Sequence, residues 1–172
     1  MVLPFKINPK DKEVPQMIVY PIPGYKTLHI EHLVMDYNGT LAVDGLLVDG
    51  VKSRLDDLAK SLNLHVITAD TFGKVKAGME GIACSVSILP PGDQDLAKLA
   101  FVKQLGSETA ACIGNGRNDR LMLQESALGI AVILGEGAAS VTLQAADVVC
   151  TGIVPALDLL LNPLRLSATL RS

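Results

Sequence analysis

The sequence predicts an α/β domain of three layers, a mostly parallel sheet with helices on both faces. Two observations predict it. Short apolar runs of strand length alternate with longer stretches of helical spacing from Lys26 onward, and that alternation builds parallel strands joined by crossover helices. The polar residues best suited to chemistry follow directly on the apolar runs. Those positions become the carboxyl edge of such a sheet, where ligands bind.

Residues 1–26 read as a proline-rich N-terminal arm. They hold Pro4, Pro9, Pro15, Pro21 and Pro23, five of the nine prolines, so an extended, non-helical course is expected, with Met17 to Tyr20 as a short edge strand. Residues 27–162 read as the core. Leu28 to Met35 is a strand. Leu41 to Val48 is a short hairpin turning at Asp44-Gly45, a pair suited to a type I′ turn. Val51 to Leu62 has helical spacing, Leu64 to Thr68 is a buried strand, Val75 to Gly81 a weak helix and Ile82 to Leu89 a strand. A helix from Asp93 to Leu105 presents Leu96, Leu99, Ala100 and Val102 and stops at Gly106. Strands at Thr109 to Ile113, Ile130 to Leu134 and Val148 to Cys150 then alternate with helices at Asp119 to Ala127, Ala138 to Ala145 and Val154 to Leu161. Residues 163–172 read as a tail whose Leu164, Leu166 and Leu170 offer a contact surface, and a homo-oligomer is expected.

Composition narrows the function. With 15 Lys and Arg against 18 Asp and Glu, the net charge of −3 lacks the basic excess of a nucleic-acid binder, and 3 Tyr, 3 Phe and no Trp leave little for base stacking. No apolar run approaches the roughly 20 residues that span a bilayer, and the N-terminus lacks the pattern of a signal peptide. Cys84, Cys112 and Cys150 are odd in number and show no metal spacing, so they read as small buried hydrophobes. A cytoplasmic protein is expected.

Four groups mark the strand ends or the helix between them. Asp36 is followed by Tyr37-Asn38-Gly39-Thr40, and Thr68 by Ala69-Asp70. Gly114 opens Asn115-Gly116-Arg117-Asn118-Asp119, and Lys98 lies on the intervening helix. In this order and context the set resembles the haloacid dehalogenase (HAD) superfamily of phosphatases and phosphotransferases, whose fold is Rossmann-like. The closest likeness is to the P-type ATPase phosphorylation domain. Thr68-Ala69-Asp70 resembles its Thr-Gly-Asp, Lys98 with Val102 and Leu105 its Lys-x-x-x-Val-x-x-Leu, and Gly114 to Asp119 with Met122-Leu123 and Ala145 to Val149 its hinge region. The resemblance spans residues 32 to about 150 and implies a small soluble relative of that domain.

The roles implied are these. Asp36 is the nucleophile that forms an aspartyl-phosphate, as a strand-end carboxylate can. Asn38 takes the place of the acid/base aspartate, and Thr68 and Lys98 complete the catalytic group. Gly39, Thr40, Ala69, Asp70 and Asn118 line the substrate. Asp36, Asn38, Asn115 and Asp119 surround Mg²⁺, a hard cation that takes oxygen ligands. Phosphoryl transfer asks for positioning and charge more than covalent chemistry, so a short list suffices.

Two positions depart from the family pattern, Asn38 and Asn115, where it has aspartates. An amide is no acid or base near neutral pH, so a slow phosphohydrolase or a persistent phosphoenzyme is expected. A Mg²⁺- and phosphate-binding regulatory module is the alternative. Both departures are Asn-Gly pairs, Asn38-Gly39 and Asn115-Gly116, and so candidates for deamidation. The gaps after Thr40 and Thr68 are too short for a cap domain, leaving the choice of phosphorylated small molecule or phosphoprotein unread.

Overall fold

A computed structural model describes residues 17–172. The first sixteen residues of the predicted arm, with Pro4, Pro9 and Pro15, lie outside the described residues. The described chain begins with a hairpin. Strand β1 (Ile18–Pro21) pairs antiparallel with β2 (Thr27–Ile30). Tyr20 of β1 is buried, and its hydroxyl donates to the Leu160 carbonyl at 2.7 Å.

The predicted strand from Leu28 to Met35 is two strands, broken at Glu31. Strand β3 (His32–Met35) leaves the hairpin and becomes the centre of a six-stranded parallel sheet. Glu31 serves both neighbours at the break: its N–H donates to the Thr109 carbonyl at 2.8 Å, and its carbonyl accepts from Asn63 N–H at 2.9 Å. After β3 come the short strands β4 (Ala42–Val43) and β5 (Leu46–Leu47), the expected hairpin. Asp44 at φ 52° and Gly45 at φ 74° both lie in the left-handed region, as a type I′ turn requires.

Helix α1 (Val51–Leu58) leads to β6 (Asn63–Thr68), then α2 (Val75–Gly78) and β7 (Ser85–Ile88). Helix α3 (Gln94–Leu105) crosses back to β8 (Ala110–Gly114), followed by α4 (Arg120–Glu125), β9 (Leu128–Val132), α5 (Ser140–Ala145) and β10 (Val148–Cys150). Helices α6 (Ile153–Leu161) and α7 (Pro163–Leu170) close the chain. The strand order is β10-β9-β8-β3-β6-β7, so the direction of winding reverses between β3 and β8. That reversal opens a crevice at the carboxyl ends of those two strands. Only the β4–β5 hairpin lies between β3 and α1, and only α2 and β7 between β6 and α3, so no cap domain is inserted.

Successive residues of a strand face opposite sides, and the core divides accordingly. Leu33, Met35, Val66, Ile113 and Ile130 meet Val51, Leu55 and Leu157 on one face. Val34, Ile67, Cys112 and Ala131 meet Phe101, Val102, Met122 and Leu123 on the other. The face α3 buries is not the one its apolar spacing suggests: Lys98, Phe101 and Val102 are buried, while Leu96 is exposed. Asp36 shares the parity of Val34 and so projects toward α3, where the helix turns Lys98 inward to meet it. In the tail, Leu166 is buried within the same chain, whereas Leu164 is 86% exposed.

The histidines His32 and His65 form a pair on the α3 side of the sheet. His32 Nδ1 lies 3.1 Å from His65 Nε2, and His65 Nδ1 lies 2.8 Å from Ser85 Oγ, with the His65 ring edge-on to Phe101. Burial and then the neighbouring His32 push His65 down from 6.5 to about 4. The unfolded chain therefore binds the extra proton between those values, so the contribution of His65 to stability is full above about 6.5 and is lost as pH falls toward 4. Asp36, pushed up to about 7, contributes with the opposite sign over the same range, so the His65 contribution is read as the difference between the wild type and His65→Gln. Urea unfolding should show that difference shrink by roughly 2 kcal/mol from about pH 7 to about pH 4, allowing for partial exposure, and a difference that does not change with pH would refute the assignment.

Candidate active site

The site forms where β3, β6 and β8 end together. Met35 is in register with Val66 on one side and Ile113 on the other, so Asp36, Thr68 and Asn115 emerge from adjacent strands. Asp36 N–H donates to the Ile113 carbonyl at 3.0 Å, which fixes the backbone at the strand end.

Lys98 joins the two aspartates. Its Nζ donates to Asp36 Oδ1 at 2.8 Å and to Asp119 Oδ1 at 2.6 Å, and its side chain is 0% exposed. The other oxygen of Asp119 accepts the backbone N–H groups of Asn115 and Gly116 at 2.9 and 2.8 Å, so this carboxylate shapes its own loop. Gly114 is required there, because a Cβ would stand 2.5 Å from the Asp119 side chain. Burial first, and then the Asp119 carboxylate, push Asp36 up to about 7 against the pull of Lys98. For Lys98 the burial would lower the ammonium, but Asp119 and Asp36 outweigh it and hold it above its ordinary value.

The remaining predicted residues surround this cluster. Thr68 is buried, and its Oγ1 accepts Asp70 N–H at 3.1 Å, leaving its own proton to donate. Asp70 Oδ1 accepts the N–H groups of Lys74 and Val75 at 3.0 and 3.1 Å, so this oxygen caps α2. Ala69 lies between them, half-buried. Thr40 Oγ1 donates to Asn115 Oδ1 at 3.1 Å, while Asn115 Nδ2 donates to the Gly137 carbonyl at 3.0 Å. Gly39, at φ 74°, packs its bare Cα face against the Asn115 amide, where a Cβ would collide. Asn118 Nδ2 donates to Gln94 Oε1 at 2.9 Å. Asn38 Oδ1 is buried and has no hydrogen-bond partner among the described residues.

Both Asn-Gly pairs are held against cyclisation. The attacking nitrogen would be that of Gly39 or Gly116, and each N–H is already donated at 2.8 Å, to the Ala42 carbonyl and Asp119 Oδ2.

Sequence reasoning missed Tyr37. It is fully buried, and its hydroxyl donates to the Gly45 carbonyl at 3.2 Å and occupies the space a Cβ on Gly78 would need. The turn it supports is also held by Lys74 Nζ on the Asp44 carbonyl at 3.2 Å and by Glu136 Oε1, which accepts Asp44 N–H at 2.9 Å. The signal was a lone aromatic between Asp36 and Asn38, at the parity of the large core face.

Together these features define a capless, doubly wound α/β domain with a buried Asp–Lys–Asp cluster at its carboxyl edge. No family model matches the chain. An uncharacterized protein of Methanocaldococcus jannaschii, MJ0073, is 46% identical over 84 residues, which are 46% of this chain and 90% of that protein. A second, MJ0072, is 41% identical over 39 residues, 23% of this chain and 89% of that protein. Among solved structures, a Legionella pneumophila protein assigned to HAD subfamily III A is 25% identical, with a TM-score of 0.57 over 82% of this chain and 87% of its own. The 3-deoxy-D-manno-octulosonate 8-phosphate phosphatase of Moraxella catarrhalis, solved with magnesium, phosphate and KDO, is 20% identical, with a TM-score of 0.59 over 78% of this chain and 87% of its own. A Vibrio cholerae protein assigned the same activity is 15% identical, with a TM-score of 0.63 over 91% of this chain and 98% of its own. The chain belongs to the family of MJ0073 and has the HAD fold in a capless form.

Proposed function

We propose that the chain is a Mg²⁺-dependent phosphohydrolase that works through an aspartyl-phosphate on Asp36, and that it is slow. The observation that carries this reading is the buried Asp36–Lys98–Asp119 cluster at the crevice between β3 and β8. The M. catarrhalis phosphatase, solved with magnesium and phosphate, lends support through its shared fold.

The donors suit a hard cation. Asn38 Oδ1 is a buried acceptor lacking a partner, two residues beyond the Asp36 carboxylate, and Asn115 Oδ1 lies nearby in the Asp119 loop. No group of three His, Cys, Asp or Glu side chains converges among the described residues. The cation would lean on the carboxylates of Asp36 and Asp119, the amide oxygens of Asn38 and Asn115, and water, an arrangement Mg²⁺ accepts. When bound, Mg²⁺ supplies charge neutralisation on the phosphoryl oxygens.

In the first step a carboxylate oxygen of Asp36 forms a bond to phosphorus as the bond to the leaving oxygen breaks. Lys98 and the Thr68 hydroxyl stabilise the charge on the phosphoryl oxygens. The leaving oxygen takes its proton from water, because Asn38 has none to give. Water then attacks the acyl phosphate, releasing phosphate and restoring Asp36. Without a base at position 38 this second step is slow. The regulatory reading draws on one specific observation, that both ends of the Asn115 amide are already bonded within the chain.

Incubation with acetyl phosphate and Mg²⁺ tests the proposal. Phosphate release and a hydroxylamine-sensitive phosphoenzyme are expected from the wild type, and neither from Asp36→Ala. Equal signals from the two chains would refute it.

A further inference from the structure

Beside the cluster lies a cavity of about 290 Å³ that the proposed reaction leaves unused, lined by Gly92, Asp93, Gln94, Asp95, Arg117 and Asn118. Its position ties it to the site. Gln94 is one helical turn before Lys98 on the same face of α3, and Asn118 adjoins Asp119. A molecule with its phosphoryl group at Asp36 can extend its other end here.

The lining selects among leaving groups. It has no aliphatic or aromatic side chain, so it offers no apolar wall to an acyl chain. Two of its groups are already satisfied: Asp95 Oδ2 accepts from Arg120 Nη2 at 3.0 Å, and Gln94 Oε1 accepts from Asn118 Nδ2. Two others are not. Arg117 is exposed and has no hydrogen-bond or ion-pair partner among the described residues, and Asp93 makes no side-chain cap on α3. The cavity thus holds one open guanidinium and one open carboxylate. A guanidinium fork matches a carboxylate in two parallel hydrogen bonds, and a carboxylate accepts from a hydroxyl or ammonium group.

Resting on the phosphohydrolase reading, we infer that the substrate is a phosphate ester of a hydroxy acid or amino acid, its carboxylate held by Arg117 and its neighbouring hydroxyl or ammonium by Asp93. A neutral polyol phosphate leaves the Arg117 charge unmatched.

Matched pairs test the inference: 3-phosphoglycerate against glycerol 3-phosphate, and O-phosphoserine against O-phosphoethanolamine. The carboxylate member of each pair is expected to have the higher kcat/KM by roughly fivefold, the upper value for an ion pair at an exposed side chain such as Arg117. Arg117→Gln should shrink that ratio to within about twofold. A wild-type ratio near one overturns the inference. So does an equal loss on both members in Arg117→Gln, which would assign Arg117 to the phosphoryl group. Should no ester be hydrolysed, calorimetric affinities of the full chain for 3-phosphoglycerate and glycerol 3-phosphate carry the same comparison. Asp36-dependent release from acetyl phosphate is scored separately, so failure of the substrate inference is distinct from failure of the phosphohydrolase reading.

Discussion

Lys98→Met is expected to be the most damaging single substitution in the core. It removes the cation that two buried carboxylates share at 2.8 and 2.6 Å and leaves them facing each other without compensation. Breaking a buried pair in this way costs about 3–5 kcal/mol. In a domain of this size that lowers the melting temperature by about 10 °C. The deficit should depend on pH in a fixed direction. Asp36 is already pushed up to about 7 from an ordinary 3.8 by burial and Asp119. Without the ammonium it rises further, and the folded state then holds a proton that the unfolded chain has released. Stability is therefore greatest at low pH and is lost as pH rises through the folded value. Thermal melts of Lys98→Met should lie closer to the wild type at pH 5 than at pH 8, and Asp119→Asn added to it should recover part of the loss. A melting temperature within about 2 °C of the wild type at pH 8 would mean that the cluster is not the buried ionic centre described.

The sequence made the sheet legible because apolar runs and turn residues report directly on strand ends. Asp36, Thr68 and the Asn115 loop fall at adjacent strand ends, where the alternation of elements puts them. Features that depend on long-range contact were not legible. The break at Glu31 comes from its hydrogen bonds to residues 32 and 78 positions away, Asn63 and Thr109, not from any local breaker. The rotation of α3 that exposes Leu96 follows from where Asp36 and Asp119 lie, and apolar spacing along the helix carries no record of them. The same holds for the tail. Leu164, Leu166 and Leu170 look equivalent in sequence, yet Leu166 is buried, Leu170 is half-buried against the core and Leu164 is exposed, because α7 packs one stripe on the N-terminal hairpin and α6. Asp70 shows the limit most clearly. As a polar residue after a strand it suits substrate contact and capping equally, and only the hydrogen bonds of Oδ1 to Lys74 and Val75 reveal the cap.

Asn38→Asp is expected to raise phosphate release by roughly 10²–10⁴-fold, the usual worth of a general acid and base. Asn38 Oδ1, two residues beyond Asp36, is buried with no hydrogen-bond partner among the described residues, so the position holds a polar group but an amide there cannot exchange a proton. A carboxyl group of the same shape can protonate the leaving oxygen in the first step and take a proton from water in the second. The second effect should dominate, so the phosphoenzyme should become too short-lived to trap while steady-state release rises. The same substitution should lower stability by about 1–2 kcal/mol, because it adds a third carboxylate near Asp36 and Asp119. That opposition separates the two roles Asn38 can have. A purely structural residue would lose stability without gaining rate, whereas an acid/base position gains rate while losing stability. Release within about threefold of the wild type, with an unchanged phosphoenzyme lifetime, would show that the amide at position 38 does not limit the proposed reaction.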